Sequence, residues 1–304
     1  MSRADGVVHG RQAQLAALNE GRPALVHRRI IDDLETPVSA YLKVGWGRPH
    51  AFLLESVEGG ALNGRYSIIT LDPDVVWRCH GDEAEIARGA DIAAGRFTTQ
   101  PGGALDSLRT LIAETRFDIP DGLPPMAAGL FGVFGYDMVR LLEPLGVPNP
   151  DPVGLPDSVL TRPSIIAVFD SVLHEIVVMA PVWPGGDGAR DLAAAEARLD
   201  AFEAALRRPL LNRSPAQEVD APAFRSPVDG AAYGDMVARA KDYIAAGDIF
   251  QVVLSHRFSA SYGGDPFAFY RSLRRQNPSP YLYFLNFGDF QLAGSSPEIL
   301  VRLK

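Results

Sequence analysis

Cysteine is almost absent: Cys79 is the single one in 304 residues. No internal disulfide can form, which fits a reducing compartment, and Cys79 has no second cysteine to share a zinc motif. We read it as a small buried apolar side chain. An excess of positive charge is missing too. The 29 Lys and Arg stand against 37 Asp and Glu, a net charge of -8. That balance argues against a nucleic-acid surface, which needs clustered basic residues, and it is not extreme enough for disorder. No run approaches the ~18 apolar residues of a membrane span. The opening residues MSRADGVVHGRQ contain no apolar h-region, so a secretory signal is not expected. These absences predict a cytoplasmic protein with no membrane or nucleic-acid partner.

What is present is a chain that is 47% hydrophobic, long enough to bury about three quarters of its unfolded surface. Ala24 to Ile30 predicts a first strand. Thr36-Pro37 then supplies an N-cap and a proline suited to the first helical position, so a short helix follows through Val38, Tyr41 and Leu42. Ala51 to Leu54 predicts a buried strand ending at Glu55-Ser56. Arg65 to Thr70 predicts another. The Asp72-Pro73-Asp74 turn leads to a third at Val75 to Cys79. Leu105, Leu108, Leu111 and Ile112 recur at helical spacing. The glycines at 129, 132 and 135 do not fit a phosphate-binding fingerprint. They predict close backbone packing in a sheet. Ser164 to Phe169 and Glu175 to Met179 form an expected hairpin, and Gly188 to Leu206 a surface helix.

The stretch 207–225, with Pro209, Pro215 and Pro222, reads as a linker. It separates an N-terminal α+β region, 1–206, from a second region, 226–304. There Ser226-Pro227 with Asp229 signals a helix start, and Gly247 a stop. Phe250 to Phe258 alternates as a strand, with Gln251, Val253, Ser255 and Arg257 on one face. Asp265-Pro266 begins another helix, containing Phe269, Tyr270 and Leu273. Asn277-Pro278-Ser279-Pro280 must be irregular. Tyr281 to Phe287 and Phe290 to Ala293 predict a hairpin around Gly288-Asp289, followed by a last apolar strand running to Lys304. The expected fold class is α+β, mostly antiparallel sheets with helices in layers. A domain so recently begun at Lys304 is expected to leave an apolar face uncovered and edges unpaired, as a truncated domain would.

Three ordered blocks carry a resemblance: Leu53-Leu54-Glu55-Ser56 with Gly64-Arg65-Tyr66-Ser67; Gly247-Asp248-Ile249-Phe250-Gln251-Val252-Val253-Leu254-Ser255; and Asn277-Pro278-Ser279-Pro280-Tyr281 with Gly294-Ser295-Ser296-Pro297-Glu298. Together they resemble the large subunit of anthranilate synthase, component I, over nearly the whole chain. The resemblance implies conversion of chorismate and ammonia to anthranilate and pyruvate in tryptophan synthesis. It also implies Mg²⁺ as cofactor, a glutamine amidotransferase subunit as the ammonia source, and feedback inhibition by L-tryptophan. The family's metal-binding glutamates and catalytic His are expected beyond Lys304, so no catalytic or metal residue is assigned here and the isolated chain is expected not to turn over. Glu298 is read as structural. Gln251 stands where the similar isochorismate and salicylate synthases carry a Lys that activates water. Glutamine cannot take up a proton, which suits ammonia as nucleophile. The nearest rival is aminodeoxychorismate synthase component I, and a different class of reading is a non-catalytic amino-acid-binding regulatory module. The Phe250 to Ser255 wording favours the anthranilate enzyme.

The resemblance places the tryptophan site at Ser56, Pro280, Tyr281 and Leu282, where Leu282 stands for a Met in many relatives. A zwitterionic amino acid needs an acceptor for its ammonium, donors for its carboxylate and an apolar slot for the indole. Glu55 is a candidate acceptor, Arg65 a candidate donor, and Leu282 or Tyr283 a candidate slot wall.

Overall fold

The computed structural model describes residues 5–31, 33–56, 64–210 and 223–301. The chain divides into two compact units, one made of Met1–Leu211 and Tyr270–Lys304, the other of Asn212–Phe269. The first contains α1 (Asp5–Asn19), β1 (Ala24–Ile31), α2 (Pro37–Val44), β2 (Ala51–Glu55), β3 (Tyr66–His80), β4 (Glu83–Arg88), α3 (Ala90–Ala93), β5 (Thr98–Thr99), α4 (Gly103–Glu114), β6 (Phe131–Phe134), a 3-10 helix at Tyr136–Leu141, β7 (Ser158–Asp170), β8 (Glu175–Val182) and α5 (Gly188–Leu206). The second contains α6 (Gly230–Ala246). Within α7 (Pro266–Gln276) the chain passes from the second unit's range to the first's, which ends with β9 (Tyr281–Asn286) and β10 (Gln291–Ser296).

All strands join one antiparallel sheet in the order β1-β8-β7-β3-β2-β9-β10, with β4 and β5 continuing from β3 and β6 pairing with β7. The sheet explains why 270–304 leaves the rest of the expected 226–304 region. β9 pairs with β2 in the register Leu53↔Phe284 and Glu55↔Leu282, so the hairpin completes the first unit's sheet. Helices α1, α2 and α5 pack together against one face. The fold is α+β with helices layered on an open antiparallel sheet. Among the described residues no helix is long and apolar enough to cross a membrane.

Local chemistry accounts for most elements. Thr36 and Ser39 form a reciprocal capping box at α2, with Pro37 inside the first turn. Trp77, wholly buried, donates its indole N–H to Ser107 of α4 at 2.9 Å and so joins β3 to that helix. Cys79 is buried in the same cluster, and burial first, then the charge of Asp157, pushes its thiol up to about 11.

Four expectations need correction. The Asp72-Pro73-Asp74 segment does not divide two strands. β3 runs through it for 15 residues, because β7 pairs along both halves and the irregularity is absorbed as a register shift between Pro73 and Val75. Helix α6 starts at Gly230, not at Pro227. Asp229 is the cap and accepts from the Ala232 N–H at 2.8 Å. Phe250 to Phe258 is not a strand. Its described surroundings supply a single bridge, Arg225↔Ser259, and alternation without a partner ladder makes no sheet. Residues 299–301 are likewise outside any strand. The Gly59-Gly60 turn, most of the expected linker (211–222) and the last residues, 302–304, lie outside the described residues.

Candidate functional site

β2 is short, but it lies between β3 and β9 in the middle of the sheet. Its alternation therefore decides which side chains face the helices. Phe52 and Leu54 point to one side, where they cluster with Val76, Val159, Tyr283, Leu285 and Leu292. Leu53 and Glu55 point to the other. Across the ladder Phe284 and Leu282 share that second side, and Tyr41 of α2 packs edge-on to Phe284 with ring centroids 5.8 Å apart.

Glu55 is thus a carboxylate held inside, with its side chain 1% exposed. Its Oε2 accepts the Tyr270 hydroxyl at 2.6 Å. Arg274 Nε stands 3.0 Å from the same oxygen as an ion pair, out of line for a hydrogen bond. Tyr270 has no exposure, and burial first, then the charge on Glu55, raises its pKa far above the ordinary phenol value. It stays a hydrogen-bond donor. Neither partner was read from sequence as anything but helix. The available signal was a Tyr on an apolar helical face with an Arg four residues on, a spacing that brings two side chains to one spot.

The nominated effector residues distribute as follows. Tyr281, which is 37% exposed, shares its face of β9 with Tyr283, the side facing away from Glu55, while Ser56 directly follows the last residue of β2. Leu282, 1% exposed, lies on the Glu55 side of the sheet and cannot share the face of Tyr281. Tyr283 can, and its ring lies over Gly294, where an added Cβ would overlap it. Pro280 is half-buried at the entry to β9. The loop before it is anchored: Ser279 Oγ donates to the Ser296 carbonyl at 2.8 Å, and Ser295 Oγ to the Asn277 carbonyl at 2.7 Å.

Arg65 immediately precedes β3, three residues before Ile68, the partner of Leu54 in β2, and lies beside a cavity of ≈ 220 Å³ lined also by Thr36, Pro37 and His174. Its guanidinium is taken up by Asp170, with Nη2 2.7 Å from Oδ2. Burial alone would raise the Asp170 carboxyl. The Arg65 hydrogen bonds and the Leu173 and Val172 N–H groups outweigh burial and hold it below the usual range. A depressed folded pKa contributes stability that is present above the unfolded value, near 3.8, and is lost as pH falls through the folded value. Asp170→Asn is therefore expected to be less stable than the parent at pH 6. The gap should narrow only below the folded value, itself under 3.8, where the carboxyl is protonated in both the folded and the unfolded state. Urea midpoints measured on both sides of that value check this, and a constant gap would contradict it.

A cleft of ≈ 760 Å³, walled by Val76, Arg78, Ile92, Phe97, Phe287 and Phe290, includes none of the nominated residues. Gln251 belongs to the second unit and is exposed. Among the described residues no group of three or more His, Cys, Asp or Glu is placed to hold a metal ion.

A hairpin from the chain's last part completes the antiparallel sheet and brings the start of β9 beside the end of β2, next to the Glu55-Ser56 step. Residues 72–304 match the family model described as chorismate binding enzyme, and the chain belongs to that family. More particularly, it shows strong homology to anthranilate synthase component I from many species. The Cereibacter sphaeroides protein is 48% identical over 287 residues, covering 93% of this chain and 57% of that protein. That of Pseudomonas putida is 40% identical over 298 residues, covering 96% and 59%. The crystal structure of anthranilate synthase component I from Streptococcus pneumoniae TIGR4 superposes with a TM-score of 0.62 at 31% identity, covering 91% of this chain and 59% of that one. The chain thus spans less than two thirds of the length of these relatives.

Proposed function

We propose that the protein carrying this chain converts chorismate and ammonia to anthranilate and pyruvate, and that L-tryptophan inhibits it by binding on the first unit. The observation that carries the activity is 48% identity to an anthranilate synthase component 1 over 93% of the chain. Ammonia would come from a glutamine amidotransferase partner, in a cytoplasmic setting. Mg²⁺ is the cofactor the homology implies. Among the described residues no cluster of His, Cys, Asp or Glu is placed to hold such an ion.

The inhibitor reading is supported by the placement of β2 beside β9. Ser56 directly follows β2, and Pro280 directly precedes β9, which opens with Tyr281 on the side that carries the Tyr283 ring. Ser56 would offer its hydroxyl, the start of β9 its backbone groups, and Tyr281 and Tyr283 their aromatic faces for an indole. Leu282 contributes through its backbone, and Arg65, held by Asp170, plays no direct part in this arrangement.

The test is anthranilate fluorescence from the intact protein with chorismate, ammonia and Mg²⁺, with and without tryptophan. Turnover that tryptophan suppresses is expected, and Ser56→Ala should raise the half-inhibitory concentration about tenfold, the loss of one well-formed hydrogen bond to a charged group. No anthranilate would overturn the activity. Undiminished inhibition of both Ser56→Ala and a Pro280→Phe variant would overturn the site.

A further inference from the structure

Burying a carboxylate at the centre of a sheet is costly unless its partners are well placed. Glu55 has two, both reaching it from α7: the Tyr270 hydroxyl and the Arg274 guanidinium. They are themselves held. The Tyr270 ring rests against Phe284 with centroids 5.8 Å apart, and Phe284 faces Leu53 across the ladder. Helix α7 is fixed at its start by Asp265, whose carboxylate accepts the Phe267 N–H at 2.9 Å, and at its end by Asn277 N–H donating to the Leu273 carbonyl at 2.8 Å. The residue after Glu55 is Ser56, and the residue opposite Glu55 is Leu282, next to Tyr281. Any rotation of β2's last residue is therefore passed along the backbone to Ser56.

We propose that Tyr270 and Arg274 are positioning residues of the tryptophan site. By clamping the Glu55 carboxylate, they set the backbone at the end of β2 and so the distance between Ser56 and the start of β9. Neither side chain touches the inhibitor; both act through Glu55. This proposal rests on the inhibitor reading above. It adds that the site's geometry is set by two side chains of α7, acting through the residue that precedes Ser56.

The experiment uses the intact protein and three variants, Tyr270→Phe, Arg274→Met and Phe284→Leu. The half-inhibitory tryptophan concentration, the KM for chorismate and the thermal midpoint are read for each. Tyr270→Phe removes only the hydroxyl that holds Glu55. Arg274→Met keeps the helical stem and removes the charge. Each is expected to raise the half-inhibitory concentration about tenfold without a matching change in KM. Phe284→Leu disturbs the same packing but leaves both polar partners, so it is expected to lower the midpoint while inhibition persists. Arg274→Lys should restore part of the inhibition by returning a positive charge. A wild-type protein that tryptophan does not inhibit would remove the inhibitor reading itself. A wild type that is inhibited, with Tyr270→Phe and Arg274→Met inhibited equally, would leave that reading standing and overturn this proposal. Because the Arg274 side chain is 32% exposed, its variants remain informative if Tyr270→Phe fails to fold.

Discussion

Gly132→Ala is expected to lower the stability of the first unit by about 2–3 kcal/mol, near the upper end for added volume in a tight interior. Gly132 sits in β6 opposite Leu160 of β7. A Cβ there would overlap the Val159 carbonyl oxygen and lie 2.9 Å from Leu160 Cα. Both obstacles are backbone, so neither can rotate away. Relief requires β6 to lift from β7, which would also break two side-chain supports: Ser158 Oγ donating to the Val133 carbonyl at 2.7 Å and Thr161 Oγ1 donating to the Phe131 carbonyl at 3.0 Å. At this chain size roughly 2–4 °C of melting temperature goes with each kcal/mol, so a fall of roughly 5–10 °C is expected by calorimetry. Gly234→Ala is the contrast. Gly234 lies inside α6 with open space around its Cα, and alanine there should stabilise its helix by about 0.5–1 kcal/mol. A Gly132→Ala protein that melts with the parent would show that β6 does not approach β7 this closely.

The close approach at Gly132 was legible because glycine at 129, 132 and 135 has no other good use in a strand. Local chemistry likewise gave α2 its Thr36 cap, α7 its Asp265-Pro266 start, and the β9–β10 hairpin its Gly288-Asp289 turn, where Gly288 takes φ 96. Tertiary pairing decided the rest. Asp72-Pro73-Asp74 has the composition of a turn, and Asp72 does take φ 52, yet β7 pairs on both sides of it and keeps β3 whole. Phe250 to Phe258 has the alternation of a strand and no described partner ladder to make it one. For the site, residue types pointed to Glu55 and Ser56 as neighbours in one pocket. The fold turns the Glu55 side chain inward, onto Tyr270 and Arg274 of α7. What a lone sequence withholds is which distant residue meets which. Tyr270 finds Glu55 across 215 residues, and no periodicity encodes that meeting.

The second large effect is expected at Glu55. Removing one partner of a buried charged cluster leaves the others unmatched, at about 3–5 kcal/mol, so Glu55→Ala should destabilise the first unit by that order in urea unfolding. Glu55→Gln keeps an acceptor for the Tyr270 hydroxyl and loses only the charge facing Arg274, and about 1–2 kcal/mol is expected. Coupling should show in a cycle. Tyr270→Phe added to Glu55→Ala should cost less than the sum of the single changes, because the orphaned hydroxyl is gone. A Glu55→Ala cost below about 1 kcal/mol would mean that the carboxylate escapes to water and the clamp is not formed. A buried ion pair is often no more stabilising than well-packed apolar residues of the same volume. The double variant Glu55→Leu with Tyr270→Phe is therefore expected to recover much of the lost stability, since the apolar neighbours Leu53, Leu282 and Phe284 already line the spot. If the clamp exists to place Ser56 rather than to hold the fold, that double variant will be stable and yet resistant to tryptophan. If it exists for stability alone, inhibition will return along with the melting temperature.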